Sequence, residues 1–183
     1  MSTIWNPVLG WVAAAAAAFG FAAGAPHEEW VLGKLPPVAA KRLDDTPLML
    51  PDELPPGRTL AVVVFKGQQR EEARSWIEGL QLRRDPAIAW LKMPVLADPG
   101  DDKERRGIER RLQERHASGQ DRGRLVPLFM DRDAFVRATG LSGTQHASVL
   151  VLDRRGNVLA RAEGPFNPAK AQALRETLLA QSD

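Results

Sequence analysis

The stretch TLAVVVFKGQQREEARSWIEGLQL, residues 59–82, decides the fold. Residues 59–65 form a short unbroken apolar run dominated by valine, the pattern of a strand buried on both faces. Lys66 and Gly67 interrupt it. Beyond them Ala73, Trp76, Ile77 and Leu80 recur at i, i+3, i+4 and i+7, which predicts a helix over 68–82 with one apolar face. Glu71 and Glu72 fall in its first turn, where carboxylates suit the positive end of the helix dipole. Strand, tight turn and helix make the opening half of an α/β unit.

Working outward, AIAWLKMPVL at 87–96 predicts a second strand, limited at its far end by Pro94, and residues 124–130 predict a third. Between them, residues 98–118 carry many charges and two large apolar residues, Ile108 and Leu112, which predicts a weakly amphipathic, solvated helix. Its arginines, Arg105, Arg106, Arg110, Arg111 and Arg115, alternate with Glu104, Glu109 and Glu114, so local ion pairs are expected. Contact with anionic lipid headgroups is a second use for the same ridge. Asp131 predicts the cap of a short helix over 132–139, with Phe135 and Val136 inward and Gly140 ending it. Residues 147–152 and 158–161 flank the turn DRRGN at 153–157, a hairpin signature. Asn167 and Pro168 supply a cap and a proline at the first helical position. The last helix then runs to about residue 180, with Ala171, Leu174 and Leu178 inward. Early strands that alternate with helices argue for parallel pairing, and the late hairpin adds an antiparallel part. The predicted fold class is α/β: a mixed sheet flanked by helices, with a late β-hairpin and a C-terminal helix.

Ahead of this domain, residues 8–25 read VLGWVAAAAAAFGFAAGA without a charge. Such a run fits a signal peptide or a membrane anchor. The small residues Ala23, Gly24 and Ala25 favour cleavage. Pro26 and the lack of Lys or Arg in residues 1–7 oppose it, and Trp5, Trp11 and Trp30 suit membrane interfaces. Residues 26–57 hold seven prolines, which predicts an extended linker that becomes a wrapping arm, with 31–35 and 48–50 docking on the core. The expected division is therefore 1–25 signal or anchor, 26–57 linker and arm, and 58–183 folded domain. The expected location is the periplasm, or the inner membrane facing it.

Composition excludes several functions. The 183 residues contain no cysteine, which removes disulfides, thiolate nucleophiles and cysteine metal sites. Lys and Arg number 25 against 23 Asp and Glu, a net charge of +2, so no nucleic-acid partner is expected. His27, His116 and His146 are dispersed, and Asp98, Asp101 and Asp102 lack the spacing of a calcium loop. No metal and no cofactor are expected. Residues 140–143, GLSG, lack the strand–loop–helix context of a phosphate loop, and no G-x-S-x-G elbow occurs. His116 is expected in solvent. His146 precedes a predicted central strand and reads either as a packing residue or as a ligand or acid–base group near Gln68 and Gln69.

The element order resembles the thioredoxin fold, and the likeness reaches particular residues. VVVF at 62–65 resembles the strand before the thioredoxin active-site loop, which places that loop and helix start at 66–73. Gln69, Arg70 and Ala73 stand near the positions of the family's cysteine pair. Residues 145–153 resemble the strand after the family's cis-proline, with His146 or Ala147 in its place. A narrower likeness spans 59–179. Residues 131–135, Gly140 with Leu141, 149–156 and 161–166 are similar to the thioredoxin-like family of the mitochondrial assembly chaperone for ATP synthase subunit a. That resemblance implies a non-catalytic, membrane-associated assembly role with a protein partner, a membrane complex being the candidate. By the thioredoxin likeness, the working surface is Lys66, Gly67, Gln68, Gln69, Arg70 and His146, with the neighbouring strand start offering backbone groups for β-augmentation. Two alternatives stay open: a cysteine-independent enzyme that uses His146, and a structural envelope protein with no ligand.

Overall fold

The computed structural model describes residues 31–116 and 118–180; the expected signal or anchor at 1–25 and His27 lie outside them. Among the described residues, fourteen short elements build one sheet, a small hairpin and their covering helices. The arm contributes β1 (Gly33–Lys34), β2 (Val38–Lys41) and β3 (Pro47–Leu50). The domain proper then runs β4 (Thr59–Val64), a 3-10 turn at Gly67–Gln69, α1 (Arg70–Gly79), β5 (Ala89–Leu96) and α2 (Asp102–Arg115). It continues with α3 (Gly119–Arg124), β6 (Leu128–Phe129), α4 (Arg132–Thr139), β7 (Ser148–Leu152), β8 (Asn157–Glu163) and α5 (Pro168–Leu179).

The six-stranded sheet has the order β1-β8-β7-β4-β5-β6. β4 and β5 pair in parallel, as do β5 and β6, whereas β7 lies antiparallel to both β4 and β8. All six residues of β4 are buried, as a valine-rich run between two neighbours requires. This is the mixed sheet with late hairpin that the sequence predicts.

Each sheet face has its own core. On one side Leu60, Val62, Val149 and Val151 meet Ala73, Trp76, Ile77 and Leu80 from α1 and Ala171, Leu174 and Leu178 from α5. On the other, Ala61, Val63, Leu150 and Leu152 meet Phe135 of α4 and four leucines of the arm: Leu35, Leu48, Leu50 and Leu54. The arm thus does the work of a covering layer. The docking expected for 31–35 and 48–50 takes this form, although Val31, Leu32 and Met49 stay exposed. β1 extends the sheet at the edge of β8, where two residues suffice. β2 and β3 pair with each other, and Pro47 opens β3, a position where a missing N–H costs little.

Some expectations need correction. The strand expected over 124–130 is reduced to Leu128–Phe129: α3 takes residue 124, Leu125 makes only an isolated bridge to Lys92, and Pro127 has no N–H to continue the ladder. Ser118 caps that helix by accepting from the Asp121 backbone N–H. The helix expected over 98–118 begins only at Asp102. Asp98 and Asp101 serve as its entry, one binding Arg105 and the other accepting from the Lys103 N–H.

Candidate functional site

The predicted site residues gather at the C-terminal end of β4. Two side chains fasten this region, and both act on backbone. Gln69 is buried, 3% exposed. Its Oε1 accepts from the Phe65 N–H at 2.7 Å and the Lys66 N–H at 3.1 Å, and its Nε2 donates to the Thr144 carbonyl at 2.9 Å. Glu72, in the first turn of α1, accepts from the Ala147 N–H at 2.7 Å and faces His146 Nδ1 at 3.0 Å. Together they pin residues 144–147 against residues 65–72.

Lys66, Gly67, Gln68, Arg70 and His146 remain on the surface, and Lys66 Nζ reaches Gln145 Oε1 at 3.3 Å. Five of the six residues expected there are therefore together and accessible. Gln69 is not a contact residue; its amide is spent holding the loop. The expected backbone groups for β-augmentation are also taken. Thr144 O is bonded to Gln69, Ala147 N–H to Glu72, and Ala147 O to the Gly164 N–H at 3.0 Å. β7 is paired on both sides, so it offers no free edge. Ser148, buried on β7, has no hydrogen-bond partner for its Oγ among the described residues. Nothing in these contacts brings a nucleophile to His146. No group of three potential metal ligands occurs among the described residues.

A cleft of about 310 Å³ opens beside the loop, between the start of α1 and the length of α2. Sequence reading missed it. Its floor is apolar, with Val64, Phe65, Pro94, Leu96, Ile108 and Leu112. Its polar lining is cationic: Lys66, Arg70, Lys92, Arg111, Arg115 and Arg132, with His116, and no carboxylate. Lys92 shares its sheet face with Trp90, Pro94 and Leu96, since alternate residues of a strand point the same way. A lysine inside the apolar run 87–96 was the available signal.

No carboxylate lines the cleft, and Asp121 acts on Lys92 and His116 only from a distance. The arginine–glutamate pairs expected along α2 do not form among the described residues: Arg105 pairs with Asp98 and Asp102, and Glu109 pairs with Lys41. Arg70, Lys92, Arg111 and Arg115 form no ion pair among the described residues. Burial holds the Lys92 ammonium below the ordinary lysine range, and the Arg70 and Arg83 charges add to that. His116 is half-buried rather than solvated, because Arg122 ties the end of α2 down through the carbonyls of His116 and Gln113. Its imidazole is likewise held below the usual value, first by desolvation and then by Lys92, with Arg70 and Arg83 adding and Asp121 opposing. In a proton NMR titration, His116 is expected to titrate below free histidine, and Lys92→Met should move its midpoint up. Methionine keeps the burial and removes only the charge, so part of the depression should persist. An unchanged midpoint would place Lys92 outside the cleft.

Comparison with known proteins locates the fold. The chain matches no family model and no curated protein. Among solved structures it resembles a proposed electron transfer protein from Aquifex aeolicus VF5, with a TM-score of 0.56 and 12% identity over 82% of this chain and 95% of that one. It also resembles BsSco, a member of the Sco family of cytochrome c oxidase assembly proteins, with a TM-score of 0.52, 15% identity and coverage of 79% and 91%. A thio-disulfide isomerase from Thermus thermophilus gives 0.50, 15%, 82% and 98%. The fold is thioredoxin-like. These likenesses speak to the fold and not to the narrower kinship with the ATP synthase assembly chaperone.

Proposed function

We propose that this chain is a non-catalytic thioredoxin-like binding module that serves assembly of a membrane complex from the periplasmic side. The observation that carries this reading is the loop at 65–72. A thioredoxin keeps its reactive thiols there. This chain has no cysteine and uses Gln69 and Glu72 to brace the loop, leaving Lys66, Gly67, Gln68, Arg70 and His146 as a fixed polar surface. A braced polar surface suits recognition, because little conformational entropy is lost when a partner binds. The partner engages side chains, since the backbone groups of residues 144 and 147 are occupied. The apolar run 8–25 supports attachment to, or passage through, the inner membrane. BsSco shows that the fold occurs in a family of assembly proteins. An ATP synthase membrane subunit is the partner that the sequence resemblance suggests.

The test is affinity capture of the tagged full-length protein from gently solubilised native membranes, compared with a Lys66→Glu/His146→Ala double variant. His146 is exposed and Lys66 is half-buried with its ammonium at the surface, so the variant should fold. Enrichment of one membrane complex with the wild type, lost in the variant, is the expected result. Equal capture by both proteins, or no specific capture, would overturn the reading.

One observation favours a second reading, an enzyme that uses His146. Glu72 orients the imidazole as a carboxylate orients a general base. Turnover of a substrate by the purified protein, abolished by His146→Ala and reduced by Glu72→Gln, would support it.

A further inference from the structure

The cationic cleft asks for an occupant of its own. Four of its cations, Arg70, Lys92, Arg111 and Arg115, lack a carboxylate partner among the described residues. They line the cleft from three elements: the start of α1, the middle of β5 and the second half of α2. Lys92 is the informative member. A lysine on a surface strand can swing into water, but this one rises from a central parallel strand, between β4 and β6, toward an apolar floor. Gathering like charges around a low-dielectric floor is costly unless an anion joins them. Three guanidiniums and one ammonium match the oxygens of a phosphate, the guanidinium fork by bidentate hydrogen bonds and the ammonium as a point charge.

The floor decides what else the ligand carries. Pro94, Leu96, Ile108 and Leu112 give nothing to an inorganic ion but would be covered by an apolar body attached to one. The volume, about 310 Å³, lies at the small end of ligand pockets and suits a phosphate head with a compact apolar body next to it.

We propose that the cleft between α1 and α2 binds an organic phosphate monoester, its dianionic head among Lys92, Arg70, Arg111 and Arg115 and its apolar body on Pro94, Leu96, Ile108 and Leu112. The same chemistry exists on a free alkyl or aryl phosphate and on a lipid phosphate such as phosphatidic acid. This goes beyond the protein-binding reading and does not depend on it: a chain with no protein partner still has this cleft.

Phenyl phosphate is the probe, titrated by calorimetry into the full-length protein in discs of zwitterionic lipid. Saturable one-to-one binding that weakens with added salt is expected. Phenol, which has the body without the charge, and inorganic phosphate, which has the charge without the body, should each bind at least about tenfold more weakly. Lys92→Met should lower affinity about tenfold, the loss expected for one charge-assisted contact. Arg115→Gln, on an exposed helix face where folding is not at risk, should do so by a similar factor. Repeating the titration in discs that contain phosphatidic acid separates the sources. Unchanged affinity assigns the site to a free monoester, and competitive weakening assigns it to a lipid phosphate. No saturable binding, equal binding of inorganic phosphate, or wild-type affinity in both variants would overturn the proposal.

Discussion

Trp76→Ala is expected to lower unfolding stability by about 4–5 kcal/mol, most of what a domain of this size has to spare. Trp76 is fully buried where α1 crosses the sheet. Its indole N–H donates to the Gly164 carbonyl at 2.7 Å, and its ring meets Phe166 edge-on at 5.3 Å. One side chain therefore ties α1 to the segment between β8 and α5, 88 residues later. Alanine removes the buried surface, leaves a cavity and strands a buried carbonyl. Urea unfolding followed by circular dichroism should show a midpoint lower by roughly 2 M. Two controls bracket the cause. Trp76→Phe keeps most of the packing and should cost about 1–2 kcal/mol, chiefly the hydrogen bond. Trp90→Phe should cost less than about 1 kcal/mol, because the Trp90 indole N–H has no partner among the described residues and only its stacking under Arg124 is weakened. A Trp76→Ala loss no larger than that of Trp90→Phe would show that α1 does not depend on this contact.

Lys92→Met runs in the opposite direction and ties stability to the cleft. Burial lowers the Lys92 pKa, so the folded protein holds this proton less tightly than the unfolded chain. The penalty is therefore complete below the folded pKa and disappears as pH rises through the unfolded value, near 10.4. At neutral pH, methionine should raise stability by about 1 kcal/mol, seen as a rise in Tm of ~3 °C. At pH 10.5 the gain should shrink. A lysine that weakens the fold fits a ligand site better than a structural one. A Tm that falls at neutral pH would contradict this account.

The sequence carried the sheet and most of the helices because their signals are local. The run 59–65 could be buried on both faces only as a central strand. Asp131 accepts from the Ala134 N–H, and Gly140 closes the same helix at φ 70°, a conformation that glycine adopts freely. Asn167 and Pro168 open α5 in the same local way. The arm was legible only in part. Prolines argue against helices and central strands, and β1, β2 and β3 are neither: they are short edge pieces whose partners lie far along the chain or in each other. Whether Leu48 and Leu50 dock is visible in their alternation, but the layer they complete is not. α3 was hidden because Gly119 and Gly123 lower helix propensity, and its position is set by Ser118 and by the arginines that grip neighbouring carbonyls.

The site divides along the same line. The loop and His146 come together because a thioredoxin-like order brings the end of β4 beside the start of β7. The cleft does not appear in any local pattern. Lys92 sits among apolar residues in the strand, and Arg111 and Arg115 look paired with their glutamates until α2 is placed. Charge that is balanced along the chain separates in space: Lys41 takes Glu109 on the far side of α2, whereas Arg111 and Arg115 turn toward the cleft.

Gln69→Leu should cost about 2–4 kcal/mol although it changes neither the volume nor the charge of the site much. Leucine fills the same space and bonds nothing. The Phe65 N–H, the Lys66 N–H and the Thr144 carbonyl would then be left without the partner they share, and Phe65 itself is buried. Gln69→Glu separates the contributions. A carboxylate still accepts from both N–H groups, and it helps the first turn of α1. It faces the Thr144 carbonyl with like charge, however, so that one bond is lost and the cost should be nearer 1–2 kcal/mol. The order wild type, Gln69→Glu, Gln69→Leu in urea midpoint checks the assignment, and equal effects of the two variants would refute it. The same series bears on function. Residue 69 touches no partner, so any fall in capture of a membrane complex by Gln69→Glu must act through the separation of residues 144–147 from residues 65–72. Hydrogen exchange at the Ala147 amide, which Glu72 holds from the other side, reports that separation directly. If exchange there speeds up while the amides of β4 stay protected, the loop has loosened without the fold, and lost capture can be attributed to the surface it presents.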